Sequence, residues 1–179
     1  RRLPALPPGP VHGVPTSSHR VYLPPGSPSL LASSLFSPHQ VWLLAVPAFA
    51  RLREHGAVLL VKTTTSELAW KCVTDSPLTG VTVNPWDTSR TSGGSSGGSA
   101  VAVALGLGPL SMGPDGAGAV RIPAAFTATV AVKPPLCRVP AWPGPQVRPL
   151  TSTGPPARPA APAPLPPHSV RRRDPSAGG

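Results

Sequence analysis

Acidic side chains are scarce in this 179-residue chain: six Asp and Glu stand against sixteen Lys and Arg, for a formal net charge of +10. Aromatic residues make up 4% and charged residues 12% of the whole. A basic balance suits nucleic acid or an acidic membrane surface. The arginines are scattered, however, apart from Arg1–Arg2 and Arg171–Arg173, and one Tyr with three Phe leaves few rings on which bases could stack. The basic tail is therefore read as solvated chain with no nucleic-acid partner of its own. Cysteine is nearly missing too. Cys72 and Cys137 lie in no CxxC or CxxH spacing, which argues against a zinc module or a disulfide scaffold and fits a reducing, cytoplasmic compartment. Long apolar runs are absent. Leu30–Phe36 and Val41–Ala50 are interrupted by Ser or Pro and fall well short of the roughly 20 residues that span a bilayer. No apolar core follows the leading arginines as a secretory signal would require, so neither export nor membrane insertion is expected. No repeat of solenoid length occurs.

Proline is what the chain has in excess, and its distribution divides the sequence. Residues 1–28 hold eight prolines and residues 134–179 hold fourteen, whereas 50–133 hold five. Proline removes a backbone donor and breaks helix interiors and central strands. The expected organisation is a disordered start over residues 1–8, a folded region over 9–134 that is irregular between 16 and 47, and a Pro/Arg-rich, disordered end over 135–179.

Within the centre, Pro47–Gly56 reads as a helix, with Pro47 suited to its first turn and Gly56 to its left-handed stop. Ala57–Val61 is a short continuous apolar run, as in a strand covered on both faces. Helix, tight turn and buried strand are α/β grammar. Thr64–Trp70 is predicted helical, and Lys71–Arg90, which lacks periodicity, an ordered loop. Loops of that length inside a domain are usually functional. Thr91-Ser-Gly-Gly-Ser-Ser-Gly-Gly-Ser99 leads into Ala100–Gly108, a helix with little side-chain bulk and Ser99 as N-cap. Leu110–Met112 is a predicted strand, Gly113–Gly118 a glycine-rich turn, and the β-branched Phe126–Val132 another strand.

A Gly/Ser loop by itself has the composition of a linker. Its position between an ordered loop bearing Asn84-Pro-Trp-Asp87 and a close-packing helix points elsewhere, because backbone N–H groups at a helix start suit an anion or oxyanion. The run Thr79–Ser99, continued by Gly113-Pro-Asp-Gly-Ala-Gly-Ala-Val-Arg-Ile-Pro-Ala-Ala125, resembles the two-part motif of the amidase signature family. Gly9–Pro15, Leu52–Thr63 and Val132–Pro134 fall where that family has similar stretches. The resemblance is close over 50–134 and poor over 16–47. It implies an α/β fold with a mixed, twisted sheet flanked by helices, here incomplete because only an N-terminal portion is covered. It also implies hydrolysis of carboxamide C–N bonds in a small amide substrate, without a cofactor or metal. Nucleic acid would enter only through a tRNA amidotransferase assembly.

The family resemblance further implies a Ser–cis-Ser–Lys triad, in which one serine attacks the carbonyl, a second relays its proton and a neutral lysine accepts it. Ser95 matches the cis-serine, followed by Ser96. Gly116, Ala117 and Gly118 match the oxyanion turn, with Ala117 in place of a usual glycine. Asp115 and Arg121 match supporting positions and are expected to pair. Two positions depart from the pattern. The nucleophile position is Ala119, which has no hydroxyl, and the lysine position is His19. Lys62 is read as structural, its ammonium reaching out from a core edge. Ser92, Ser99 and Ser111 lack the preceding glycine turn that a substitute nucleophile would need. The expectation is therefore an amidase-type chain impaired in catalysis. The alternative is a pseudo-enzyme, or a decayed or misread reading frame, that keeps a remnant pocket.

Overall fold

A computed structural model describes residues 9–19, 27–39, 41–42, 46–135, 138–140, 152–154 and 156–157. In chain order the elements are β1 (Pro15–His19), β2 (Ser27–Pro28), β3 (Val41–Trp42), α1 (Pro47–Glu54), β4 (Val58–Thr63), a 3₁₀ turn at Glu67–Ala69, β5 (Asp75–Ser76), β6 (Gly80–Val81), α2 (Gly97–Ala104), β7 (Leu110–Asp115), α3 (Arg121–Thr127), β8 (Val130–Ala131), β9 (Ser152–Gly154) and β10 (Pro156–Ala157). The main sheet runs β4-β1-β7-β10-β8, with β9 also on β7. Strands β4, β1 and β7 are parallel, while β9 and β10 run antiparallel to β7 and β8 antiparallel to β10. The mixed α/β architecture is the expected one. Two antiparallel pairs, β2–β3 and β5–β6, stand apart from it.

Strand alternation assigns the two faces of β7. Leu110 and Met112 join Val11, Val46, Ala48, Leu52 and Val139 in the apolar core, so α1 covers this side. The opposite side carries Ser111, Gly113 and Asp115, and there α2 lies almost on the backbone. A Cβ added to Gly113 would stand 2.5 Å from Ser96 Oγ, and one at Gly94 would stand 2.6 Å from the Val73 backbone. The small side chains of the Gly/Ser run are therefore a packing requirement, which a flexible linker would not have.

Several expectations need correction. α1 begins at Pro47 and ends against Gly56 (φ +85°) as read. But β4 is the outermost strand of its sheet, with Val58, Leu60 and Val61 46%, 53% and 48% exposed, and is not covered on both faces. Thr64–Trp70 forms only the three-residue 3₁₀ turn, because Leu68 and Ala69 take left-handed φ of 54° and 57°. The small-residue helix starts early, at Gly97. Ser99 thus lies inside it and its hydroxyl bonds Thr63 Oγ1 (2.8 Å) and Met112 O (3.2 Å) instead of capping. Phe126–Val132 is not one strand. α3 continues through Thr127, Ala128 turns it off at φ 56°, and only Val130–Ala131 is extended. β-branching at Thr127 is overridden locally: its hydroxyl donates back to Pro123 O at 2.8 Å. The Asn84 Nδ2 and Trp86 Nε1 groups then donate to the terminal carbonyls of Phe126 and Thr127 at 2.7 and 2.8 Å.

The proline-rich ends also hold more structure than their composition suggests. Thr16–His19, inside the stretch where the family resemblance is poor, is the buried middle strand between β4 and β7. Beyond 134, Ser152–Gly154 and Pro156–Ala157 pair with the sheet. The expectations for residues 1–8, 136–137, 141–151, 155 and 158–179 lie outside the described residues.

Candidate active site

The parallel strands β1, β4 and β7 deliver their C-terminal ends to one region, the usual location of a functional site on such sheets. His19 ends β1, Thr63 ends β4 with Thr65 just beyond, and Asp115 ends β7. The Gly/Ser segment enters from the loop before α2, and the 116–120 turn from the loop before α3.

Ser95 and the 119 position meet here. The Ser96 amide donates to Ala119 O at 3.0 Å, which ties the serine pair to the turn. The Gly94–Ser95 peptide bond is cis. Ser95 and Ser96 are 2% and 0% exposed, and their hydroxyls have no hydrogen-bond partner among the described residues. Three side chains surround the Ser95 carbonyl: Thr65 Oγ1 at 3.0 Å, His19 Nε2 at 3.3 Å and Thr74 Oγ1 at 3.4 Å. Thr65 Oγ1 also lies 2.7 Å from His19 Nε2. Thr74 Oγ1 donates more closely to Gly93 O (2.7 Å) and accepts from the Gly97 amide (3.0 Å). His19 is fully buried, and desolvation pushes its pKa down to about 4 against the opposing pull of its Ser95 backbone contact. It is neutral at physiological pH.

Asp115 organises the turn. Its carboxylate accepts Gly118 N–H (2.7 Å), Val120 N–H (3.2 Å), Arg121 N–H (3.2 Å) and a two-pronged contact from the Arg121 guanidinium (Nε 2.9 Å, Nη2 3.0 Å). Burial raises its pKa, but the Arg121 contact and the three amides outweigh burial and hold the carboxyl below its ordinary value. The expected Asp115–Arg121 pair is present. Within this turn the Gly118 and Val120 amides are already spent on Asp115, whereas those of Gly116, Ala117 and Ala119 are not held by its carboxylate. Ala117 is not strained by its methyl group, because the positive φ falls one residue later, at Gly118 (φ 116°).

The other serines are closed off. Ser92 Oγ donates to Thr82 O (2.7 Å), and Ser111 exchanges contacts with Ser17 (2.7 and 3.2 Å) on the sheet. Thr65 and Thr74 went unnoticed in the sequence, because each sits in ordinary Thr-rich loop with nothing to mark its distant partner. No group of three or more His, Cys, Asp or Glu is placed to hold a metal among the described residues. A cleft of about 370 Å³ lined by Pro15, Leu60, Leu107 and Pro109 lies at the other end of β1, away from this cluster.

A family model described as Amidase matches residues 25–174. This chain belongs to the amidase family. It is 51% identical over 96 residues to the putative amidase AmiA2 of Mycobacterium tuberculosis, covering 54% of this chain and 20% of that protein. It is 40% identical over 131 residues to a glutamyl-tRNA(Gln) amidotransferase subunit of Mycolicibacterium gilvum, covering 71% and 26%. Among solved structures it resembles an amidase (TM-score 0.77, 40% identity, 84% of this chain and 34% of that one) and a bacterial aryl acylamidase of the amidase signature family (0.78, 32%, 85% and 32%). The chain thus spans about a fifth to a quarter of these curated relatives and a third of the structures.

Proposed function

We propose that this chain descends from hydrolases of carboxamide C–N bonds and cannot itself complete that reaction. The observation that carries the reading is the methyl group of Ala119, at the position next to the buried Ser95–Ser96 pair where the attacking hydroxyl belongs. In an intact site that hydroxyl would add to the carbonyl, Ser95 would pass on its proton, and the Gly116 and Ala117 amides would face the developing oxyanion. Donors of that kind are typically worth a hundredfold or more each. Without the hydroxyl no acyl-enzyme forms, whatever the rest of the site preserves.

The proposed ligand class remains a small carboxamide held by the remnant site, in a cytoplasmic setting to which the exposed, unpaired Cys72 is suited. A nucleic-acid role is proposed only by way of an amidotransferase assembly of the kind one relative's name describes. The test is treatment with a fluorophosphonate probe alongside ammonia release from short-chain and aryl amides. We expect no adduct at residue 119 and no turnover above buffer; stoichiometric labelling or sustained turnover would overturn the reading.

A further inference from the structure

The first amides of a helix have no carbonyl behind them, and a serine at the N-cap ordinarily turns its own side-chain oxygen onto one of them. Ser96 stands at the N-cap of α2 and makes no such bond. Its hydroxyl and that of Ser95 are buried without a partner among the described residues. The Gly97 amide donates instead to Thr74 Oγ1, at 3.0 Å. The same hydroxyl gives its one hydrogen to Gly93 O, at 2.7 Å. Thr74 is 1% exposed, so bulk water does not compete for either contact. One side chain thus joins the carbonyl before the serine pair to the amide after it and closes residues 93–97 into a loop. The glycines make room for it. A Cβ at Gly97 would stand 2.3 Å from Thr74 Oγ1, and one at Gly94 would stand 2.6 Å from the Val73 backbone.

We infer that Thr74 is the positioning residue of the serine pair: it caps α2 in place of Ser96, braces the 93–97 loop, and so leaves the Ser95 and Ser96 hydroxyls uncommitted. A serine that capped its own helix would have its oxygen held against the backbone. Here a residue more than twenty positions earlier does that work, and the serine pair keeps both hydroxyls. The brace uses no atom of the residue 119 side chain. It therefore persists in a chain that has only a methyl group there. The brace itself does not depend on any view of catalysis; only its bearing on a proton relay rests on the proposed function.

Thr74→Val and Thr74→Ser separate the hydroxyl from the volume it occupies. Valine keeps the branched shape and loses the hydroxyl, whereas serine keeps the hydroxyl and loses a methyl group. Hydrogen exchange on the full chain is read at the Gly97 amide and at the Ser96 amide, which bonds Ala119 O. The Val58 amide, which bonds Val14 O at the sheet's outer strand, serves as reference. Relative to Val58, Gly97 and Ser96 should exchange roughly tenfold or more faster in the Val variant and stay within about threefold of the parent in the Ser variant. Equal acceleration at all three amides in the Val variant would make Thr74 an ordinary packing residue and overturn the inference. So would unchanged protection of Gly97 in that variant. Should the Val variant fail to fold, the parent and the Ser variant decide: a protected Gly97 amide in both supports the brace, and one that exchanges as an open-loop amide in either overturns it. Amide turnover by the parent would remove the proposed function and leave the exchange result standing, so the two failures are distinguishable.

Discussion

On the proposed function, a serine introduced at residue 119 would restore the attacking hydroxyl, but a buried, neutral histidine stands at residue 19, where the resemblance puts a lysine as proton acceptor. Ala119→Ser alone is therefore expected to stay at least a hundredfold slower with fluorophosphonate than Ala119→Ser combined with His19→Lys, because a general base typically contributes at least that much; rapid labelling of the single variant would contradict this. His19 also predicts an acid response. Its ordinary pKa is 6.5 and burial brings it to about 4, so the unfolded chain binds the extra proton first. Stability is fully present above about pH 6.5, falls as pH drops toward 4 and levels off below, a total of roughly 3 kcal/mol. Urea midpoints between about pH 4 and 7 measure it, and His19→Gln should flatten the slope. At this scale the sequence was legible wherever a residue type is its own signal: Asp115 and Arg121 pair as expected, and the Ser95–Ser96 segment is joined to the turn at Ala119 by the Ser96 amide. Thr65 and Thr74 were not, since what matters about them is a carbonyl 30 and 21 residues further along, and no local pattern encodes that distance.

Among the elements, α3 and the turn before it depend on contacts from elsewhere. Asp115 accepts three backbone amides and a guanidinium from fully buried space, so Asp115→Ala leaves those amides without an acceptor. A loss of about 3–5 kcal/mol is expected by denaturant titration, typical of breaking a buried charged network. The other end of α3 is stopped by Asn84 and Trp86. Trp86→Phe, which keeps an aromatic ring and removes the Thr127 contact, should cost about 1 kcal/mol and show first as faster amide exchange in residues 124–128. This explains why helix was mistaken for strand. Phe126–Val132 has the β-branched composition of a strand, and what makes its first half helical is supplied from residues 84 and 86. α1 was readable because its start and stop lie within it. β4 was misjudged because an apolar run declares that it is buried somewhere, without saying by what.

For the molecule as a whole, the sheet and its two helical faces follow from α/β grammar in residues 47–115, while its edges do not. Leu60 on β4 and Leu107 after α2 are 53% and 58% exposed, and Trp70 is 77% exposed. Isolated apolar residues on a surface are ordinary, but a run of them along an open strand invites association. The chain is expected to elute as higher-order species and to bind ANS, and Leu60→Lys with Leu107→Lys should shift it toward monomer. A sharply cooperative, monomeric parent would refute this.

The sheet's pairing order has a consequence for synthesis on the ribosome. β10, at residues 156–157, sits between β7 and β8, whose residues are made some 25 to 50 positions earlier. Until those two residues clear the exit tunnel, β8 has no neighbour, and the turn holding Ala119 is flanked by an unfinished sheet. Nascent chains stalled short of that point should therefore be cut by protease between α3 and β8, and chains stalled well beyond it should resist.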